Sequence, residues 1–189
     1  MANKVKFGLR NVWVAQITSI SGSTYTYSTP FSIPGAVNLT ATAEGDSDPF
    51  YADDVQYFVN YANNGYTGEL EIALLPDAFK TAILGELTDN KDALIETASA
   101  VTQAFALGFE VQGDEHPRRT WFYNVTCARP NTNAATKEAN ITPQTDTLEI
   151  TISPRITDQF VKAVMTLTSS NSAAFSSFFS SVYERVVTP

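Results

Sequence analysis

The sequence predicts a mainly β fold (α+β), an antiparallel β-sandwich or barrel with one or two short flanking α-helices. Three observations support this. Apolar and polar residues alternate in several short segments, for example Leu148, Ile150 and Ile152 with Thr and Glu between them, and period two is the signature of half-buried strands. Turn residues separate these segments. Helical spacing occurs in two short stretches, which suit helices appended to a sheet.

The alternating segments predict strands at about 11–20, 25–27, 31–41, 55–61, 66–75, 102–112, 118–128, 147–152 and 159–167. Asn63-Asn64-Gly65 lies between two of them, and an Asn-Gly turn flanked by alternating residues predicts a hairpin. The polar stretches at about 40–53 and 129–144 predict long loops. A chain of 189 residues without an internal repeat fits a single domain, 1–189.

Two short helices are predicted. The first covers about 76–84, because Pro76 and Asp77 suit a first turn and Gly85 is a natural stop. The second covers about 171–182, where Phe175, Phe178 and other apolar residues recur at spacings of three and four.

The charge pattern restricts the partners. The net charge is −8, and no Lys or Arg occurs between Asn11 and Phe79, where there are eight acidic residues. Such a surface disfavours binding to phosphate backbones or anionic lipid, which depends on basic side chains. The sequence has no signal-peptide pattern and no apolar run near the roughly 18 residues of a membrane span. Synthesis and folding in the cytoplasm are therefore expected.

The acidic residues do not form a convincing catalytic or metal motif. Glu69 and Glu71 share one face of a strand about 7 Å apart, a separation compatible with an inverting glycosidase, but alternating Glu on a solvated strand explains them better. Asp46, Asp48 and Asp53 could supply oxygens to Ca²⁺, yet their spacing does not match an EF-hand. An exposed acidic loop is the favoured interpretation. We predict no catalytic residue, no cofactor and no metal.

The remaining reactive or aromatic residues also have ordinary explanations. Cys127 is the single cysteine and is expected to be a buried hydrophobe. His116 has no second histidine for a zinc site. The tyrosines could form a sugar-binding platform, although core packing or a subunit interface is the favoured reading; they are Tyr25, Tyr27, Tyr57, Tyr61 and Tyr66.

Four segments carry a family resemblance: NKVKFGLRNVWVAQIT, IPGAVNLTATAEGDSDPFYADD, NNGYTGELEIALLPDAFKTAILGE and FFSSVYERVVTP. Over most of its length the chain resembles the major tail protein of long, non-contractile-tailed bacteriophages, in the branch found in phages and prophages of Gram-positive hosts. The central string is the most specific match. The terminal segments are weaker evidence.

The resemblance implies a tail tube protein of the virion, made in the host cytoplasm. Such proteins form rings, usually hexameric, and the rings stack into a hollow tube through which the genome is delivered. The implied partners are the chain itself and the tape measure, distal tail and tail terminator proteins. Genomic DNA would pass through without specific binding, and no membrane is implied. The family carries no catalytic residues.

Residue-level expectations rest on pattern and not on family motifs. A DNA conduit should repel phosphates, so Asp54, Glu69 and Glu71 are candidates to face the lumen, with an outward or inter-subunit position as the alternative. Candidate inter-ring or inter-subunit residues are Glu44, Asp46, Asp48, Phe50, Tyr51, Arg118 and Arg119.

Two other functions compete with the tail tube. A tail completion or head–tail joining protein also forms rings but would cap a tube instead of stacking indefinitely. A β-sandwich module that binds carbohydrate with Ca²⁺ is the less favoured alternative. A hydrolase that uses the acidic residues is disfavoured because no convergent set of side chains is present.

Overall fold

Nine strands form one antiparallel sheet in the computed structural model, which describes residues 3–22, 24–136 and 143–186. The strands of the described residues are β1 (Lys6–Ser21), β2 (Thr24–Tyr27), β3 (Phe31–Ile33), β4 (Ala36–Glu44), β5 (Ser47–Ala52), β6 (Val55–Tyr61), β7 (Gly65–Ile72), β8 (Leu87–Thr88), β9 (Leu94–Ile95), β10 (Phe105–Gly113), β11 (Arg118–Cys127), β12 (Asp146–Ile152) and β13 (Lys162–Thr166). The helices are α1 (Asp77–Phe79), which continues into a π-helical turn over Lys80–Leu84, and α2 (Ser172–Ser176). The predicted fold class, mainly β with two short helices, is confirmed.

The strand order of the large sheet is β2-β1-β10-β11-β12-β7-β4, with β3 beside β1 and β13 beside β11. Strand β11 is the branch point. Along one edge it pairs with β10. Along the other edge its first half pairs with β13 and its last residues pair with β12.

The main core lies on one face of this sheet. Strand β1 contributes Val12 and Val14, and the π-helical turn contributes Ile83, all of them almost fully buried. Phe79 of α1 makes an edge-on contact with Phe105, with 5.6 Å between ring centroids. The first helix therefore closes one end of the core.

A second core covers the opposite face of β1, β10 and β11. Here the turns that follow α2 lie against Trp121 and Tyr123. The Trp121 indole donates a hydrogen bond to the Phe178 carbonyl at 2.8 Å, and the Tyr123 hydroxyl donates to the Tyr183 carbonyl at 2.7 Å. Gly108 is required beneath this layer, because a Cβ there would lie 2.8 Å from the Trp121 ring.

A buried charge network joins β1, β10 and β11. The Glu110 side chain is 2% exposed and lies between Arg10, at 2.5 Å, and Arg119, at 2.8 Å. The Arg119 guanidinium also lies over the rings of Phe175 and Phe179, 4.2 and 4.9 Å from their centroids. Arg119 thus links the C-terminal segment, by which we mean α2 and the turns that follow it, to the sheet.

The hairpin predicted at Asn63-Asn64-Gly65 is wrong, and so is the loop predicted at 40–53. Strand β6 pairs with β5, and β7 pairs with β4 and β12. The amides of Ala62 and Asn64 donate to the carbonyls of Asp46 and Glu44, which links the two strand pairs. One long ribbon results, with its strands running from residue 36 to 52 and back from 55 to 72.

The other element predictions differ in extent. The 76–84 helix is present as α1 and the π-helical turn, and it ends at Gly85, which has a φ of 74°. The 171–182 helix is shorter than predicted, because α2 ends at Ser176 and hydrogen-bonded turns follow it. Residues 128–136 and 143–145 form neither strand nor helix. The remaining part of the predicted 129–144 loop, 137–142, lies outside the described residues.

The docking of the C-terminal segment can be tested at Phe178, which is 2% exposed. We expect Phe178→Ala to lower the free energy of unfolding by about 3–5 kcal/mol, the usual cost of truncating a buried Phe. Denaturant unfolding measures the change. The exposed neighbour Ser180→Ala is the control and should stay within about 0.5 kcal/mol. A change of similar size in both variants would contradict the packing described here.

The Glu110 network predicts a dependence of stability on pH. Burial raises the pKa of the Glu110 carboxyl, but hydrogen bonds and charge from Arg119 and Arg10 outweigh burial and hold the pKa below its ordinary value of 4.5. The network's contribution is therefore complete above pH 4.5 and is lost as the pH falls through the lower folded-state pKa. We expect the difference in unfolding free energy between wild type and Glu110→Gln to shrink over that range. A difference independent of pH would show that Glu110 is not held ionised.

Candidate functional site

The distal half of the ribbon projects beyond the sheet. We call residues 46–62 the arm; it consists of β5, β6 and their turn. Its six-residue strand β5 extends about 20 Å, at roughly 3.3 Å per residue. The arm pairs only within the ribbon among the described residues.

Aromatic side chains cover both faces of the arm. Phe50 and Phe58 are cross-strand partners on one face and are 61% and 60% exposed. Tyr57 and Tyr61 lie on the opposite face and are 74% and 75% exposed. An isolated two-stranded hairpin is marginally stable in water, and contiguous exposed apolar surface marks an interaction site. The arm is the strongest candidate interaction surface in the described chain.

The tip and the base of the arm are acidic. Asp53 and Asp54 form the two-residue turn with φ values of 51° and 60°. Positive φ at both central residues is the requirement of a type I′ hairpin turn, which twists with the strands. Asp46 and Asp48 lie toward the base. All four carboxylates are exposed, and none joins a salt bridge within the described residues.

A threonine- and glutamate-rich face covers the outer side of β4, β7 and β12 near the base of the arm. Glu69 and Glu149 lie directly opposite each other across β7 and β12. Glu71 accepts a hydrogen bond from the Thr145 hydroxyl at 2.8 Å. A shallow groove of about 910 Å³ runs over this face; among the described residues its lining is Thr40, Thr42, Thr67, Gly68, Glu69, Thr102, Thr126, Cys127, Ala128, Glu149, Ile150 and Thr151, without a Lys or Arg.

A second, smaller groove of about 210 Å³ lies across β10, β11 and β13. We call it the basic groove. Its lining is Lys6, Phe109, Val111, Arg118, Thr120, Phe122, Lys162 and Val164. Lys6, Arg118 and Lys162 are exposed, and none of them pairs with a carboxylate within the described residues. The groove is therefore apolar along its floor and positively charged along its rim.

The predicted site residues fall into three places. Five of the inter-subunit candidates lie on the ribbon at or beyond its junction with the arm; they are Glu44, Asp46, Asp48, Phe50 and Tyr51. Glu69 and Glu71 share the threonine- and glutamate-rich face, whereas Asp54 is at the far tip of the arm, so the three lumen candidates do not form one group.

Arg118 and Arg119 separate because neighbours on a strand point to opposite faces. Arg118 lines the basic groove. Arg119 was also predicted to lie at a subunit interface, but its side chain is 18% exposed and is held by Glu110 and the Phe175 carbonyl. The contacts that the structure shows for Arg119 are within the subunit.

The geometry also bears on the carbohydrate and Ca²⁺ interpretation. Tyr25 is buried, Tyr66 lies against Phe122, and Tyr57 and Tyr61 are on the arm, so the tyrosines form no single platform. The candidate Ca²⁺ ligands are spread along extended strand and turn. Within the described residues, no group of three or more His, Cys, Asp or Glu is arranged to hold a metal ion.

The comparisons with known proteins give no family. No family model matches the chain, and no curated protein matches its sequence. Among the described residues, no helix has both the length and the apolar character to cross a membrane.

The basic groove was not predicted from the sequence. Its residues come from β1, β10, β11 and β13, which are more than 150 residues apart at the extremes of the chain. One local signal was available, because Lys162 and Val164 alternate with Ala163 and Met165 in a strand, which predicts that one face carries a charge beside an apolar residue.

Burial also controls the chemistry of Cys127. Cys127 is 8% exposed, and burial raises the pKa of its thiol to about 11. The reactive species is the thiolate, so at pH 8 we expect a thiol-specific reagent such as Ellman's reagent to react with folded protein at least about tenfold more slowly than with denaturant-unfolded protein. Absorbance of the released product measures both rates. Equal rates would show that Cys127 is accessible and not part of the core.

Proposed function

We propose that this chain is a structural virion protein that self-assembles into stacked hexameric rings and so forms the hollow tail tube of a long, non-contractile-tailed bacteriophage. The observation that carries the proposal is the arm, an exposed ribbon with aromatic side chains on both faces. The family resemblance of the sequence supplies the identity of the assembly. In such a virion the chain's partners would be its own copies and the tape measure, distal tail and tail terminator proteins.

The arm supports self-assembly for a physical reason. Burying apolar surface contributes about 25 cal/mol for each Å² removed from water. The arm gains little of this within its own subunit, because large aromatic side chains on both its faces are at least 60% exposed. A neighbouring copy is the partner available to every subunit of a homo-oligomer, and contacts that repeat head to tail close into rings or extend into filaments.

The threonine- and glutamate-rich face supports a role in DNA passage. Like charges directly opposite each other destabilise a strand pair, so the Glu69–Glu149 pair has a cost within the subunit. On the wall of a tube lumen these carboxylates would have a function, since they would repel DNA phosphates and prevent the genome from adhering. In this proposal Glu69, Glu71 and Glu149 face the bore, while Asp54, at the tip of the arm, belongs to a contact between subunits.

Electron microscopy of the purified protein tests the proposal directly. Negative-stain images and light scattering at rising concentration should show hollow tubes or stacked rings. Single rings that never stack would contradict the tube and favour a tail completion or head–tail joining protein. A chain that stays monomeric at every concentration, and also when supplied with preformed tube ends, would overturn self-assembly.

Removing the arm's aromatic pair should block assembly without unfolding the subunit. We expect Phe50→Ser combined with Phe58→Ser to leave the thermal unfolding midpoint within a few degrees of wild type, because neither side chain packs in a core. Sedimentation velocity should show loss of the large species. Ile156→Ser is the matched control, since Ile156 is 78% exposed and lies off the arm. Equal assembly of the variant and the control would contradict the role of the arm.

A further inference from the structure

We propose that the arm of one copy docks in the basic groove of a second copy. The contact deepens the proposed self-assembly and rests on it, because it names the two surfaces that meet. The arm is the projecting, acidic and aromatic partner. The basic groove is the concave, cationic and apolar partner.

The charges of the two surfaces are complementary. The arm carries Asp46, Asp48, Asp53 and Asp54 and no Lys or Arg. The basic groove has three cations and no carboxylate among its described lining residues. Opposite charges at an interface guide the encounter and suppress incorrect pairings. The same charges make two arms repel each other, which favours arm-to-groove over arm-to-arm contact.

The spacing of the groups also agrees. On the arm, acidic residues lie on either side of Phe50: Asp48 is in β5 and Asp53 begins the turn that follows it, and the extended strand from Asp48 to Ala52 spans about 13 Å. In the groove, Arg118 and the cross-strand partner of Lys162 are four residues apart on β11, about 13 Å. The apolar floor between these two cations includes Phe109 and Val164, which both pair with Thr120 of β11.

The position of the groove makes the contact directional. The Lys162 ammonium donates a hydrogen bond to the Tyr66 hydroxyl at 2.8 Å, so one end of the groove adjoins the strand from which the chain's own arm departs. A copy that receives an arm therefore projects its own arm from the adjoining position. The contact joins two different surfaces, which is the heterologous type that generates closed rings or continuous filaments.

Two complementary variants test the contact in the full chain. The arm variant carries Phe50→Ser and Phe58→Ser and keeps its groove. The groove variant carries Arg118→Glu and Lys162→Glu and keeps its arm. Each alone should require a roughly tenfold or higher protein concentration to assemble, because the arm variant loses apolar contact area and the groove variant places Glu against the acidic arm. An equimolar mixture should form a dimer of one copy of each, because a single intact arm and groove meet, and should go no further.

A charge-matched control separates the groove from a general effect of charge. Lys91→Glu with Arg185→Glu gives the same change in net charge at exposed positions outside the groove. Sedimentation velocity of the control should match wild type. Groove-variant assembly equal to that of the control would overturn the docking site and leave the proposed tube intact. Failure of wild-type self-assembly, with or without tube ends, would overturn both.

Disulfide trapping examines the geometry without relying on loss of assembly. In a Cys127→Ser background, one chain carries Phe58→Cys and the other carries Val164→Cys. An oxidant added to the assembling mixture should produce mixed dimers that are separable on a non-reducing gel. Cross-linking no faster than in a mixture of Ile156→Cys and Val164→Cys chains would overturn the contact.

Discussion

The described fold depends on the burial of β11 from both sides. This strand pairs with three others and carries Phe122 and Val125 into the main core, while Trp121 and Tyr123 point into the second core. A sheet with one apolar face could leave its other face in water, but a strand with aromatic residues on both faces requires two covering layers. The C-terminal segment is the second layer. Its Phe178 and Tyr183 carbonyls accept hydrogen bonds from the Trp121 indole and the Tyr123 hydroxyl, so burial does not leave these two polar groups unpaired.

The arm has the same two-sided aromatic pattern without the two covering layers. At β11 the chain supplies both layers itself, and at the arm it supplies none within the described residues. The physical requirement is the same in both places, and this difference supports the arm as the proposed contact surface. The positive φ values of Asp53 and Asp54 show that the tip is also held in a backbone conformation that few non-glycine residues adopt.

The sequence predicted the fold class and most strands because alternation is a local property. It failed where pairing was decided by distant residues. The Asn63-Asn64-Gly65 signal suggested a hairpin, but the strands on either side of it pair with β5 and β4, and the turn is formed by Asp53-Asp54. The acidic, Pro-containing stretch at 40–53 suggested a loop by its composition. Its pairing with the returning strands of the ribbon is not visible in the local sequence. The basic groove was missed for the same reason.

The distribution of charge explains how an acidic chain could associate with itself. A net charge of −8 opposes association when it is spread evenly. In this chain the ribbon carries seven of the 20 acidic residues and no Lys or Arg, whereas Lys6, Arg118 and Lys162 line one groove. Two copies that approach arm to arm or face to face therefore repel each other, and one relative orientation brings unlike surfaces together. In the proposed contact, apolar burial along the arm would supply the affinity and the charges would select the orientation.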